Sequence, residues 1–92
     1  MIEVKKFEAE WCGPCKALTP VMDKLMPDYS DITYTIIDID EDKTNNDGAE
    51  ITKYGVRSVP TVILLKDGEV VDKFVGMKSE KDIKDFLEKN KN

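Results

Sequence analysis

Apolar positions along the chain change period several times, and each change marks an element. Ile2 and Val4 fall on one face of a short extended run and Phe7 on the other, which predicts a strand over residues 2–7. A turn is expected at residues 11–14. Beyond it, Leu18, Val21, Met22 and Leu25 recur at i, i+3, i+4 and i+7, the spacing of a helix that buries one stripe. Pro20 lies inside that pattern and is expected to kink the helix, and Pro27 to end it. Residues 32–39, ITYTIIDI, are β-branched and aromatic and predict a second strand. The polar residues 40–48 read as an exposed loop. A short helix over 49–54 ends at Gly55, which suits a left-handed cap. Residues 60–65, PTVILL, are apolar on both faces, as a buried strand is. Asp67-Gly68 is a hairpin signal, followed by a more polar, edge-like strand over 70–75. Ser79 with Asp82 resembles a capping box, and Ile83, Phe86 and Leu87 give the last helix one apolar face. The expected order is β-α-β-α-β-β-α, an α/β fold in one domain over residues 1–92.

Composition narrows the chemistry. The 92 residues carry 14 Lys+Arg against 19 Asp+Glu, a net charge of −5. Nucleic-acid binding carried by charge needs a basic patch, so it is not expected. There is no histidine, which excludes Ser-His, Cys-His and His-metal sites. Two cysteines cannot supply four zinc thiolates from one chain, and no metal site is expected. No window approaches the ~18 apolar residues of a membrane span, and the N-terminal residues hold no apolar signal region. The expected compartment is therefore the cytoplasm, where a close cysteine pair points to redox chemistry or metal binding rather than a structural staple.

That pair, Cys12 and Cys15, joins the first strand to the first helix within Trp11-Cys12-Gly13-Pro14-Cys15. Unpaired backbone N–H groups and the positive end of the helix dipole favour a thiolate at Cys12. Thiols so placed ionise between about pH 3.5 and 7.5 instead of near ~8.5. A two-residue spacing within a helical turn brings Cys15 back towards Cys12, so a disulfide can form without unfolding. Gly13 leaves Cys12 sterically open, and Pro14 stiffens the first turn without removing a needed donor. In the mechanism these placements allow, Cys12 attacks a substrate disulfide and Cys15 resolves the mixed disulfide. A fortuitous pair of inert buried thiols is the alternative that spacing leaves open.

The residues carry a wider resemblance. WCGPCK over 11–16 resembles the active-site motif of thioredoxins, YGVRSVPT over 54–61 their cis-proline segment, and KDGEV over 66–70 their hairpin, while Val75-Gly76 matches their groove glycine. The resemblance covers nearly the whole chain. It implies a minimal thioredoxin fold, with a four-stranded mixed sheet and three helices, and a dithiol–disulfide oxidoreductase. It also implies that Pro60 is cis, faces the cysteines, keeps metal off them, and exposes the backbone of Val59 to an extended substrate strand. Trp11, Val59, Pro60, Val75 and Gly76 would then form a shallow apolar groove. The implied partners are disulfide-containing proteins and a thioredoxin reductase or similar donor. No bound cofactor is implied, the Cys12–Cys15 disulfide being the redox group, and a monomer is expected. Gly-Pro between the cysteines resembles the reducing members of the family.

The chain departs from the family pattern in three places. It has no residues for the strand and helix that precede the cysteine-bearing strand of a full thioredoxin, which predicts the shorter architecture of glutaredoxins. Lys6 stands where the family has a buried Asp. Either Lys6 reaches out along the sheet edge, favoured because Lys5 and Glu8 read as solvent-facing, or it lies below the thiols. Glu8, where the family often has a second Trp, would then serve as a substitute proton acceptor through water. Finally, the loop at 41–48 is longer than the family's connection; its alternating Asp38, Asp40 and Asp42 lack the register of a calcium loop and read as solvated. Two other functions compete with the reductant: a glutathione-dependent, glutaredoxin-like redoxin, and a redox-independent binding subunit of a larger enzyme.

Overall fold

In the computed structural model, which describes residues 1–91, the strand-forming runs become one mixed sheet. Its strands are β1 (Ile2–Glu8), β2 (Ile32–Asp38), β3 (Thr61–Lys66) and β4 (Glu69–Val75), in the order β2-β1-β3-β4. β1 runs parallel to β2 and antiparallel to β3, and β3 and β4 form an antiparallel hairpin. The central strands bury both faces. Val4, Val62 and Leu64 point to one side, and Phe7, Ile63 and Leu65 to the other. β4 is an edge strand with Val70, Val71 and Val75 exposed, as its polar pattern predicts.

Four helices cover the sheet: α1 (Gly13–Leu25), α2 (Ile39–Asn45), α3 (Ala49–Tyr54) and α4 (Glu80–Asn90). Leu18, Met22 and Leu25 of α1 pack with Ile83, Phe86 and Leu87 of α4 over Val4 and Val62. On the opposite face Ile39 of α2, with Ile51 and Tyr54 of α3, packs against Phe7 and Ile63, and the Tyr54 ring meets Phe7 edge-on. α1 runs on through Pro20. The proline has no N–H for the Lys16 carbonyl, but it lies on the exposed side, where water can take that bond. The helix ends in a 3₁₀ turn over Met26–Asp28 that carries Pro27. Gly55 closes α3 with φ 61°, the left-handed cap expected of it, and the Ser79 hydroxyl accepts a bond from Asp82 N at the start of α4.

The fourth helix corrects the expectation of three helices and of a loop over 40–48. Asp38 ends β2 and caps α2, its carboxylate accepting bonds from Asp40 N and Glu41 N. Asp40, Glu41 and Asp42 then occupy the first turn, where negative charge complements the helix dipole. Ile39 anchors the turn in the core. Asn92, the last residue of the expected 1–92 domain, lies outside the described residues.

Candidate active site

Cys12 is the N-cap of α1, and its extended backbone turns the chain from β1 into the helix. The Cys15 N–H donates to Cys12 Sγ across 3.1 Å, and the two sulfurs form a disulfide. That N–H and the helix dipole favour negative charge on Cys12 once the bridge opens. Gly13 and Pro14 are exposed, and no atom lies within 4 Å of where a Gly13 side chain would stand, so the loop is open on that side. The bridge itself is set in the molecule: Cys12 is 5% exposed and Cys15 2%.

The two sulfurs face different surroundings. Cys12 Sγ lies 3.6 Å from the Val59 carbonyl oxygen, which a reduced Cys12 thiol can use as an acceptor. The Val59–Pro60 peptide bond is cis. Gly76, with φ 87°, donates its N–H to the Pro60 carbonyl across 2.9 Å and ties the end of β4 to this segment. Of the expected groove residues, Trp11 is 68% exposed and Val75 is exposed, Val59 and Gly76 are half-buried, and the Pro60 ring is buried. Beside Trp11 a cleft of about 410 Å³ is lined by Ile39, Lys43, Ile51, Val56, Arg57, Ser58 and Val59. The Trp11 indole N–H donates to Asp40 Oδ2 across 2.8 Å, which fixes the exposed ring against α2.

On the Cys15 side the structure overturns the expectation that Lys6 reaches out along the sheet edge. Lys6 is wholly buried. Its ammonium donates to Thr19 Oγ1 at 2.8 Å and lies 2.9 Å from Glu8 Oε1. The reason is strand periodicity: Lys6 shares a face with Ile2 and Val4, beneath α1. Lys5, on the other face, is half-buried, bonded to Glu50 and Tyr54. Glu8 is half-buried too.

The alternating aspartates have separate tasks. Asp38 caps α2, Asp40 holds Trp11, and Asp42 is buried, accepting bonds from Asn46 Nδ2, Glu50 N and Ile51 N. Among the described residues no group of three or more His, Cys, Asp or Glu is arranged to share a metal ion. Sequence reasoning missed Asp40, Ile39, Ile51 and Val56 as site residues. The need of an exposed indole N–H for an acceptor signals Asp40 only in type, and Ile51 and Val56 lie on a short helix and just past its cap, where no local pattern marks a cleft.

A family model, Thioredoxin, matches residues 2–89. The chain is 46% identical over 74 residues to a thioredoxin of Chlamydia caviae, covering 80% of this chain and 68% of that one. It is 40% identical over 89 residues to a thioredoxin of Staphylococcus epidermidis, covering 97% and 82% respectively. The fold superimposes on a mutant thioredoxin from Halobacterium salinarum with a TM-score of 0.84 at 37% identity, over 99% of this chain and 75% of that one. Sequence, fold and a disulfide-forming C-x-x-C pair at a helix N-terminus agree, and the chain belongs to the thioredoxin family of dithiol–disulfide oxidoreductases.

Proposed function

We propose that the chain reduces protein disulfides, with Cys12 attacking and Cys15 resolving, and that a dedicated reductase restores the dithiol. The asymmetry of the two sulfurs carries this reading: Cys12 touches the Val59 carbonyl at the groove, whereas Cys15 lies deeper, facing a cleft on the other side. An extended substrate segment pairs with the Val59 backbone and rests on Trp11, Val75 and Gly76, with Gly13 and Pro14 leaving the approach open. The Cys12 thiolate then attacks one substrate sulfur, and the other leaves as a thiolate. Cys15 attacks Cys12, the Cys12–substrate bond breaks, and two electrons have passed to the substrate. The protein works in this way as one domain over residues 1–92, without a bound cofactor, in a compartment such as the cytoplasm that keeps thiols reduced.

Replacing each cysteine tests the assignment with insulin as substrate and dithiothreitol as donor. Cys15→Ser should trap a mixed disulfide on Cys12, visible by mass, and lose turnover. Cys12→Ser should form none on Cys15 and be equally inactive. A trapped adduct on Cys15 instead would reverse the roles. Turnover retained by the double variant would point to function without the thiols.

A further inference from the structure

We propose that Glu8, held in place by the buried ammonium of Lys6, takes the proton of Cys15 through water when Cys15 resolves the mixed disulfide; this rests on the roles of Cys12 and Cys15 given above. Lys6 is the one Lys or Arg that is fully buried among the described residues. A buried ion pair contributes little to stability against an apolar replacement, so its presence beside a reactive centre calls for another role. The pair is joined to the helix turn that carries Cys15: Lys6 Nζ donates to Thr19 Oγ1 across 2.8 Å, and the Thr19 hydroxyl donates to the Cys15 carbonyl across 3.0 Å.

Three further observations connect Glu8 to Cys15. Both line one cleft of about 350 Å³, with Thr19, Lys16, Glu10 and Ala9, which is room for several waters at ~30 Å³ each. Two buried polar atoms, Glu8 Oε1 and the Tyr34 hydroxyl, have no hydrogen-bond partner among the described residues. The Lys6–Glu8 contact at 2.9 Å is thus a charge contact out of line for a hydrogen bond that shuts Oε1 in against the ammonium, while the Glu8 side chain as a whole keeps 28% of its surface exposed and lines the cleft, where water reaches it. Burial, then the charges of Asp23 and Glu8, push the Tyr34 phenol well above its ordinary value, so it stays a donor. Cys15 is 2% exposed and cannot pass a proton straight to bulk solvent.

The Cys15 thiol gives its proton to a bridging water, which gives one to the Glu8 carboxylate. The Cys15 thiolate attacks Cys12 Sγ, the new S–S bond forms, and the Cys12–substrate bond breaks with its electron pair on the departing sulfur. Glu8 then releases its proton through the cleft mouth. The titratable and charged groups around Glu8 are Lys6 on β1, Tyr34 on β2, Lys16 and Asp23 on α1, and Glu10 in the turn.

Reduced protein mixed with stoichiometric dithiobis(nitrobenzoate) separates the steps. The first nitrothiobenzoate release is bimolecular and reports Cys12. The second is unimolecular and reports Cys15. Glu8→Gln should leave the first unchanged and slow the second by about 100-fold near pH 7. The gap should close as pH rises towards the ordinary thiol value of ~8.5, where hydroxide entering the cleft takes the proton in place of Glu8. Should Glu8→Gln fail to fold, the double variant Lys6→Met, Glu8→Gln, which removes both charges, should show the same selective slowing. A second phase that is unchanged, or slowed by one factor at every pH, overturns the proposal. Loss of the first release in the unaltered protein would instead count against Cys12 as nucleophile.

Discussion

Cys12 meets a backbone carbonyl beside a groove of Trp11, Ile39, Ile51 and Val56, whereas Cys15 lines a cleft with Glu8, Glu10, Lys16 and Thr19. Four residues of one turn thus separate a largely apolar surface from a cleft lined by charged side chains with room for several waters. The difference follows from the two faces of β1. Phe7 belongs to the face that α2 and α3 cover with apolar side chains, while Lys6 lies under α1, where Thr19 supplies a polar partner. Catching a substrate segment needs burial of apolar surface and a free backbone edge. Completing the exchange needs a place for a proton. Separating the two surfaces lets each sulfur have the surroundings its step requires.

The charged side breaks most severely. Glu8→Leu would leave the Lys6 ammonium fully buried with only the Thr19 hydroxyl as partner. Stranding a buried charge costs about 3–5 kcal/mol, so urea unfolding should show the variant destabilised by roughly that amount. Adding Lys6→Met should recover most of the loss, because an apolar pair of similar volume needs no counter-charge. Equal destabilisation in the single and double variants would mean that packing, not charge, is what Glu8 provides.

The apolar side should respond in substrate recognition instead. Trp11 offers a large exposed ring fixed by its bond to Asp40, the kind of residue on which binding energy concentrates. Trp11→Ala should lower kcat/KM for a protein disulfide by about tenfold, the equivalent of ~1.4 kcal/mol, and barely change the rate with a small disulfide that cannot reach the groove. An equal loss with both substrates would place Trp11 in the chemistry of Cys12 rather than in docking.

What the sequence makes legible follows the same division. The Cys12–Cys15 turn, the α1 stripe and the buried β3 run are local signals, each complete within a dozen residues, and all three stand in the structure. Lys6 was legible in principle: period two places it with Ile2 and Val4, but the solvent-facing reading of its neighbours Lys5 and Glu8 weighed against that pattern. The strand period prevailed because Glu8 and Thr19 were there to receive the ammonium. α2 was legible only in part. Its acidic first turn and Asp38 cap are helix signals, yet a single apolar anchor, Ile39, gives no stripe, and the Asn45-Asn46-Asp47-Gly48 run reads as a turn. Nor could spacing show that Asp42 serves α3, since its partners Glu50 and Ile51 lie beyond that turn.

Asp42 gives the mildest test, and it probes the support beneath the apolar side. Burial alone would raise its pKa, but the bonds from Asn46, Ile51 N and Glu50 N outweigh it and hold the carboxyl below its ordinary value of 3.8. A carboxyl depressed in the fold adds stability that is full above the unfolded-state value and drains as pH falls through the folded one. Asp42→Asn keeps one acceptor oxygen and loses the charge, so its Tm should be lower than that of the unaltered protein at neutral pH. The difference should shrink once pH drops below 3.8 and vanish when Asp42 is protonated in both states. A difference that persists unchanged into acid would mean that Asp42 joins α2 to α3 by shape alone. Because α2 carries both Ile39 and Asp40, the same variant should loosen the Trp11 side and leave the second release from Cys15 at its normal rate.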